Sequence, residues 1–209
     1  MKRKFILAVS CIAAAIILLS VAGTVCSNNR IKPLLSSYAG AKAVSDTTAA
    51  LNKAFRQAVP ADVGYGSLIT VNRSGDGQVE SLSADTAKIN ALKAAVIRAA
   101  AEELSALPSL KTKIPIGTLS PFSLLYGKGP ALTFYAFQTG GLTAEFSNTF
   151  TSAGINYTLH RIILTLKVKI TVVMPGGTQE KEVSADFFIA ETVLSGGIPD
   201  IYIKSENGG

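Results

Sequence analysis

The sequence predicts an α+β protein: an N-terminal transmembrane helix, a helix–strand–strand–helix half, and a four-stranded antiparallel meander. Three observations carry this. Phe5 to Val25 holds no charged residue. Two stretches of helical period flank a hairpin between Pro33 and Leu107. From Ile162 to Met174 every even position is apolar, while the odd ones include Thr165, Lys167, Lys169 and Thr171. Strand side chains point alternately to the two faces, so that last stretch has one oily and one wet face.

Apolar residues make up 48% of the chain and charged ones 16%, which places it among folded proteins and away from disordered ones. The net charge of +6 is in part a topology signal, because Lys2, Arg3 and Lys4 precede the apolar run. No helix carries a basic stripe, so nucleic acid is not expected as a partner. Both cysteines, Cys11 and Cys26, lie at or before the end of the apolar run, and His160 is the single histidine. The body beyond Cys26 therefore has no thiolate metal site and no internal disulfide, and a zinc site of two or three imidazoles is excluded.

Residues 1–4 form a basic start and residues 5–26 the anchor. Twenty-one helical residues span about 31 Å, the thickness of a bilayer's hydrocarbon core. The cationic start orients the N-terminus to the cytoplasm, so the rest is expected outside the cell membrane as a single-pass protein. A cleaved signal peptide fits less well, since its apolar core runs only about 7–15 residues. Residues 27–107 make the helix–hairpin–helix region. Pro33 suits a first helical turn, and Leu34, Tyr38, Ala41, Val44, Thr48, Leu51, Phe55 and Ala58 share one face. That face fits the protein's own sheet or a second copy of the chain; Pro60 ends the helix. Leu68–Arg73 and Gln78–Ser83 flank the turn Ser74-Gly-Asp-Gly77. Asp85 caps the next helix, whose inner face holds Ile89, Leu92, Val96, Ala99 and Leu107.

Residues 108–130 form a proline- and glycine-rich crossover whose Ile114, Ile116, Leu119, Phe122, Leu124, Leu125 and Tyr126 call for cover. Ser120 as cap and Gly127 as stop fit one short helix within it. Residues 131–203 are the sheet region. Ala131–Gln138 and Leu142–Thr151 read as a hairpin around Thr139-Gly-Gly141, and a second hairpin turns at Pro175-Gly-Gly177. In its second strand Val183, Ala185, Phe187, Ile189 and Val193 face inward. Ile198–Ile203 fits a short edge strand, and residues 204–209 a frayed tail.

With Met174 opposite Gln179, both oily faces match. That register brings His160 and Glu191 together on the oily face, with Asn156 and Thr158 at the same end. As chemistry, His160 is a general base oriented by Glu191 with a neighbouring hydroxyl as nucleophile. As structure, the four close the end of the sheet as a satisfied polar cluster, and this reading is the stronger one. No nucleophile elbow, phosphate loop or dinucleotide fingerprint occurs, so no catalytic, cofactor-binding or metal-ligating residue is assigned.

Lys113-Ile-Pro-Ile-Gly-Thr-Leu119, Gly127-Lys-Gly-Pro130, Gly154-Ile-Asn-Tyr-Thr-Leu-His160, Glu191-Thr-Val193 and Gly197-Ile-Pro199 resemble the blocks of the sporulation protein YunB family. The resemblance runs from about Met1 to Tyr202, with Tyr157 standing where a Gln is expected. It implies a protein of endospore-forming bacteria, made in the mother cell and active in building the spore envelope; with the anchor, the chain is expected in the membrane around the forespore. There it would act through contacts with sporulation or envelope proteins. It implies no enzymatic activity and no cofactor. Two other readings stay open from the residues: an envelope hydrolase using His160 and Glu191, and a lipid- or small-ligand-binding module.

Overall fold

The computed structural model describes Ile12, residues 14–18, Ser20, Gly23, and residues 31–75, 78–107, 111–120, 122–154 and 157–195. The elements in chain order are α1 (Lys32–Ala58), α2 (Tyr65–Leu68), β1 (Ile69–Arg73), β2 (Val79–Ala84), α3 (Thr86–Ser105), β3 (Thr112–Pro115), β4 (Ala131–Ser152), β5 (Tyr157–Met174) and β6 (Gly177–Ser195). β1 and β2 form a two-stranded sheet, and the other four strands a sheet in the order β3-β4-β5-β6. The α+β class and the four-stranded antiparallel sheet follow the sequence. No described helix is long and apolar enough to cross a membrane. The expected anchor, residues 5–26, lies for the most part outside the described residues, as do the edge strand at 198–203 and the tail.

The four strands are not the four expected. Ala131–Ser152 is one strand of 22 residues running straight through Gly140-Gly141. Neither glycine takes a positive φ, as a tight turn would require. Gly140 instead gives room: a Cβ there would come within 2.8 Å of the Lys169 Cβ on β5. The fourth strand comes from the crossover, where Thr112 pairs with Phe134 and Pro115 with Ala131. The hairpin at Pro175 does turn, but more tightly than expected. β5 ends at Met174 and β6 starts at Gly177, leaving Pro175 and Gly176 (φ 93°) as the loop, with proline and glycine where a type II turn wants them. This moves the pairing by two residues from the expected register and so keeps both faces matched.

The chain divides into two compact units: Met1–Ser45, Pro108–Ala136 and Thr171–Lys181 in the first, Asp46–Leu107, Phe137–Ile170 and Glu182–Gly209 in the second. Within the first, Leu35, Ala39 and Ala43 of α1 are buried, as are Ile114, Leu119, Phe134 and Val172. Tyr38 meets Phe134 edge-on at 6.4 Å. A Cβ on Gly40 would meet the side-chain ends of Gln179, 2.9 Å away, and Lys181, 3.1 Å away, on β6, which would have to shift. Within the second, Thr47, Leu51 and Ala54 continue the stripe of α1, and Phe55 stacks on Phe187 at 4.3 Å. The buried stripe thus falls on 35, 39, 43, 47, 51 and 54, turned from the expected face, and Leu34 and Tyr38 are exposed. Small residues let the helix approach closely along the observed stripe, which outweighs the larger apolar area of Leu34 and Tyr38.

Also in the second unit, Asp85 caps α3 by accepting a hydrogen bond from the Lys88 N–H at 3.0 Å, which lowers its carboxyl pKa. The buried face of α3 is Leu92, Val96, Ala100 and Leu104, and Leu107 beyond its end is buried too. Lys53 of α1 meets Glu103 of α3 at 2.8 Å. Val168 and Phe187 are buried on the expected oily face of the hairpin.

Candidate functional site

β5 presents its even positions to the core, and His160 is the first of them to be buried, 2% exposed. Tyr65 of α2, 95 residues away in sequence, places its hydroxyl 2.6 Å from the imidazole Nδ1. Phe150 of β4 stacks flat on the ring at 4.2 Å. Beneath them Leu68, Ile69 and Ile162 form a buried cluster against which Tyr65, Leu82, Ile89, Phe146, Ile189 and Ala190 pack. Burial disfavours the charged forms, so the His160 pKa is lowered and the Tyr65 pKa raised. The pair is a neutral imidazole against a neutral phenol. The imidazole Nε2 is buried and has no hydrogen-bond partner.

Glu191 is not part of this cluster. β6 alternates as expected through Val183 and Phe187, but Ile189 and Ala190 both turn toward the core. Beyond them the phase is reversed: Leu194 is buried, while Val193 and Glu191 are exposed. One extra residue in a strand does this, and it cannot be read from alternation alone. Glu191 therefore joins the wet face of β5, where its carboxylate accepts from the Arg161 guanidinium. Arg161 also lies over the Phe188 ring at 5.7 Å. Phe188 and Glu191 are three apart yet reach the same arginine, as the phase change requires. Thr158 is half-buried two residues before His160, and Asn156 lies outside the described residues.

The expected His160–Glu191 pair is thus undone. An imidazole with one nitrogen on a phenol, no carboxylate beside it and almost no exposure lacks the access that a general base needs. What the arrangement does is join α2, β4 and β5. Sequence reasoning misses Tyr65 because α2 has only four residues and no periodic pattern; the one available signal is that a histidine on an oily face must have some partner. Among the described residues no group of three His, Cys, Asp or Glu could hold a metal ion.

The crossover is a second feature. Its backbone folds tightly around Gly117. Ile116 N–H donates to the Pro130 carbonyl and Gly117 N–H to that of Lys128, each at 2.9 Å. Lys128 N–H in turn donates to the Leu125 carbonyl at 2.9 Å. A Cβ on Gly117 would fall 1.9 Å from the Leu125 carbonyl oxygen, so only glycine closes this loop. The expected short helix is two separate 3₁₀ turns, Ile116–Leu119 and Ser123–Leu125, and Ser120 Oγ accepts from the Phe122 N–H. Ile114 and Leu119 are covered, but Phe122, Leu124, Leu125 and Tyr126 are not; Leu124 is 84% exposed. The structure also has an open recess of about 100 Å³ between Lys32, Ser36 and the turn at Pro175–Thr178, which the sequence does not foretell.

Fold and site define an α+β protein with a long antiparallel sheet and a buried tyrosine–histidine contact. Residues 111–201 match the family model described as Sporulation protein YunB (Spo_YunB), and this match supports assigning the chain to the YunB family. Neither the curated proteins nor the solved structures contain a match.

Proposed function

We propose that this chain is a membrane-anchored sporulation protein that acts in spore-envelope assembly through contacts and not through catalysis. The family match supports the role in sporulation. The uncharged run from Phe5 to Val25 behind a basic start supports the anchor, and with it a C-terminal portion outside the cytoplasm; that the membrane is the mother-cell membrane around the forespore is part of the proposal. The observation that carries the non-catalytic reading is the separation of His160 from Glu191, with the imidazole closed off behind Tyr65 and Phe150.

Complementation of a deletion strain tests it. Glu191→Gln keeps the shape of an exposed side chain and removes only its charge, so spore yield stays at the wild-type level. His160→Gln lowers the amount of folded protein and reduces spore yield only in proportion. A folded, membrane-bound His160→Gln or Glu191→Gln protein with the deletion phenotype would restore the hydrolase reading.

A further inference from the structure

The charges of the two units differ in sign. The chain's 20 Lys and Arg and 14 Asp and Glu divide as ten and one in the first unit, and as ten and thirteen in the second. The units therefore carry +9 and −3, which together make the chain's +6. Setting aside Lys2, Arg3 and Lys4, the first unit still carries +6, and Glu180 is its single acidic residue. Within that unit the crossover shows Phe122, Leu124, Leu125 and Tyr126 to solvent, on a loop whose backbone bonds are turned inward. Lys111, Lys113 and Lys128 of the same segment are exposed. Four adjacent large apolar side chains left uncovered mark a contact surface. Aromatic and leucine side chains flanked by lysines are the composition that enters the boundary between headgroups and acyl chains.

The chain length fits the same occupant. This inference rests on the anchor proposed above. From Cys26 to Lys32 six residues reach at most about 20 Å, so an anchored chain starts α1 close to the lipid surface. An anionic lipid surface accounts for the one-sided charge and the uncovered apolar tips together.

We propose that the Phe122–Tyr126 loop docks on the anionic lipid surface of the membrane that holds the anchor, its aromatic tips at headgroup depth and its lysines on phosphate.

The chain contains no tryptophan, so one introduced indole reports alone. Full-length Tyr126→Trp and Leu124→Trp variants, reconstituted in vesicles of phosphatidylglycerol and phosphatidylcholine, are expected to emit to the blue of water-exposed indole. Lipids brominated near the headgroup should quench them, and less so in phosphatidylcholine alone or at high salt. A Phe188→Trp variant, in the second unit, should stay unquenched. Flotation after alkaline extraction reads the anchor separately. Protein that floats while both loop reporters stay unquenched overturns the docking and leaves the anchor standing; protein that fails to float overturns both. A blue shift that grows with protein concentration, without quenching, would mean that a second copy covers the loop, and also overturns the proposal.

Discussion

Two stretches of this chain read almost alike, Thr139-Gly140-Gly141 and Pro175-Gly176-Gly177, and each sits between strand-like runs. One reverses the chain and the other passes straight on as part of a strand of 22 residues. The proline decides. It fixes its own φ and has no N–H for a ladder, and the glycine after it is then free to take φ 93°. Around Gly140 nothing forces a turn, and its missing side chain is filled by the stem of Lys169 on the neighbouring strand. A glycine pair is therefore a statement about space or about dihedral angle, and the letters alone do not say which.

Substitutions separate the two meanings. The largest effect is expected at Gly140, where an alanine Cβ would press on a Lys169 Cβ that cannot swing away; Gly140→Ala should cost about 1–3 kcal/mol. At its neighbour Gly141 an added Cβ would meet nothing within 4 Å, so Gly141→Ala should stabilise by about 0.5–1 kcal/mol. Opposite signs at adjacent positions in urea melts would confirm that β4 is continuous; equal losses at both would restore a turn. At the true turn, Gly176→Ala should cost about 1–2 kcal/mol through its positive φ, since the Lys32 side chain 2.9 Å away can move. If Gly176→Ala were neutral, the dihedral argument for this hairpin would fail.

The same contrast explains what the letters reveal in advance. The alternation of β5 is legible because seven successive even positions, His160 to Val172, are buried, and a buried face enforces its pattern. The cap at Asp85 and the β1–β2 hairpin are legible because each rests on local chemistry. Alternation misplaces Glu191 because one extra residue near Ile189–Ala190 reverses everything after it and leaves no mark in composition. The stripe of α1 is hard to read because bulk suggests core, while the helix buries Ala39, Ala43 and Ala54. The exposed loop misleads for a related reason: apolar character suggests protein cover, and Phe122, Leu124 and Tyr126 stay mostly exposed.

The buried imidazole makes the fold sensitive to acid. His160 is held below its usual value of about 6.5, which the unfolded chain regains. Between those two values the unfolded state binds the extra proton and the folded state does not, so stability rises with pH in that window and falls on acidification below about 6.5. Above that pH the contribution is complete and flat. Unfolding free energies from urea melts taken from pH 7.5 downward should decline by no more than about 1.4 kcal/mol per pH unit from this one group, and His160→Gln should remove that decline. A protein working where protons accumulate would thus loosen first where α2 meets the sheet.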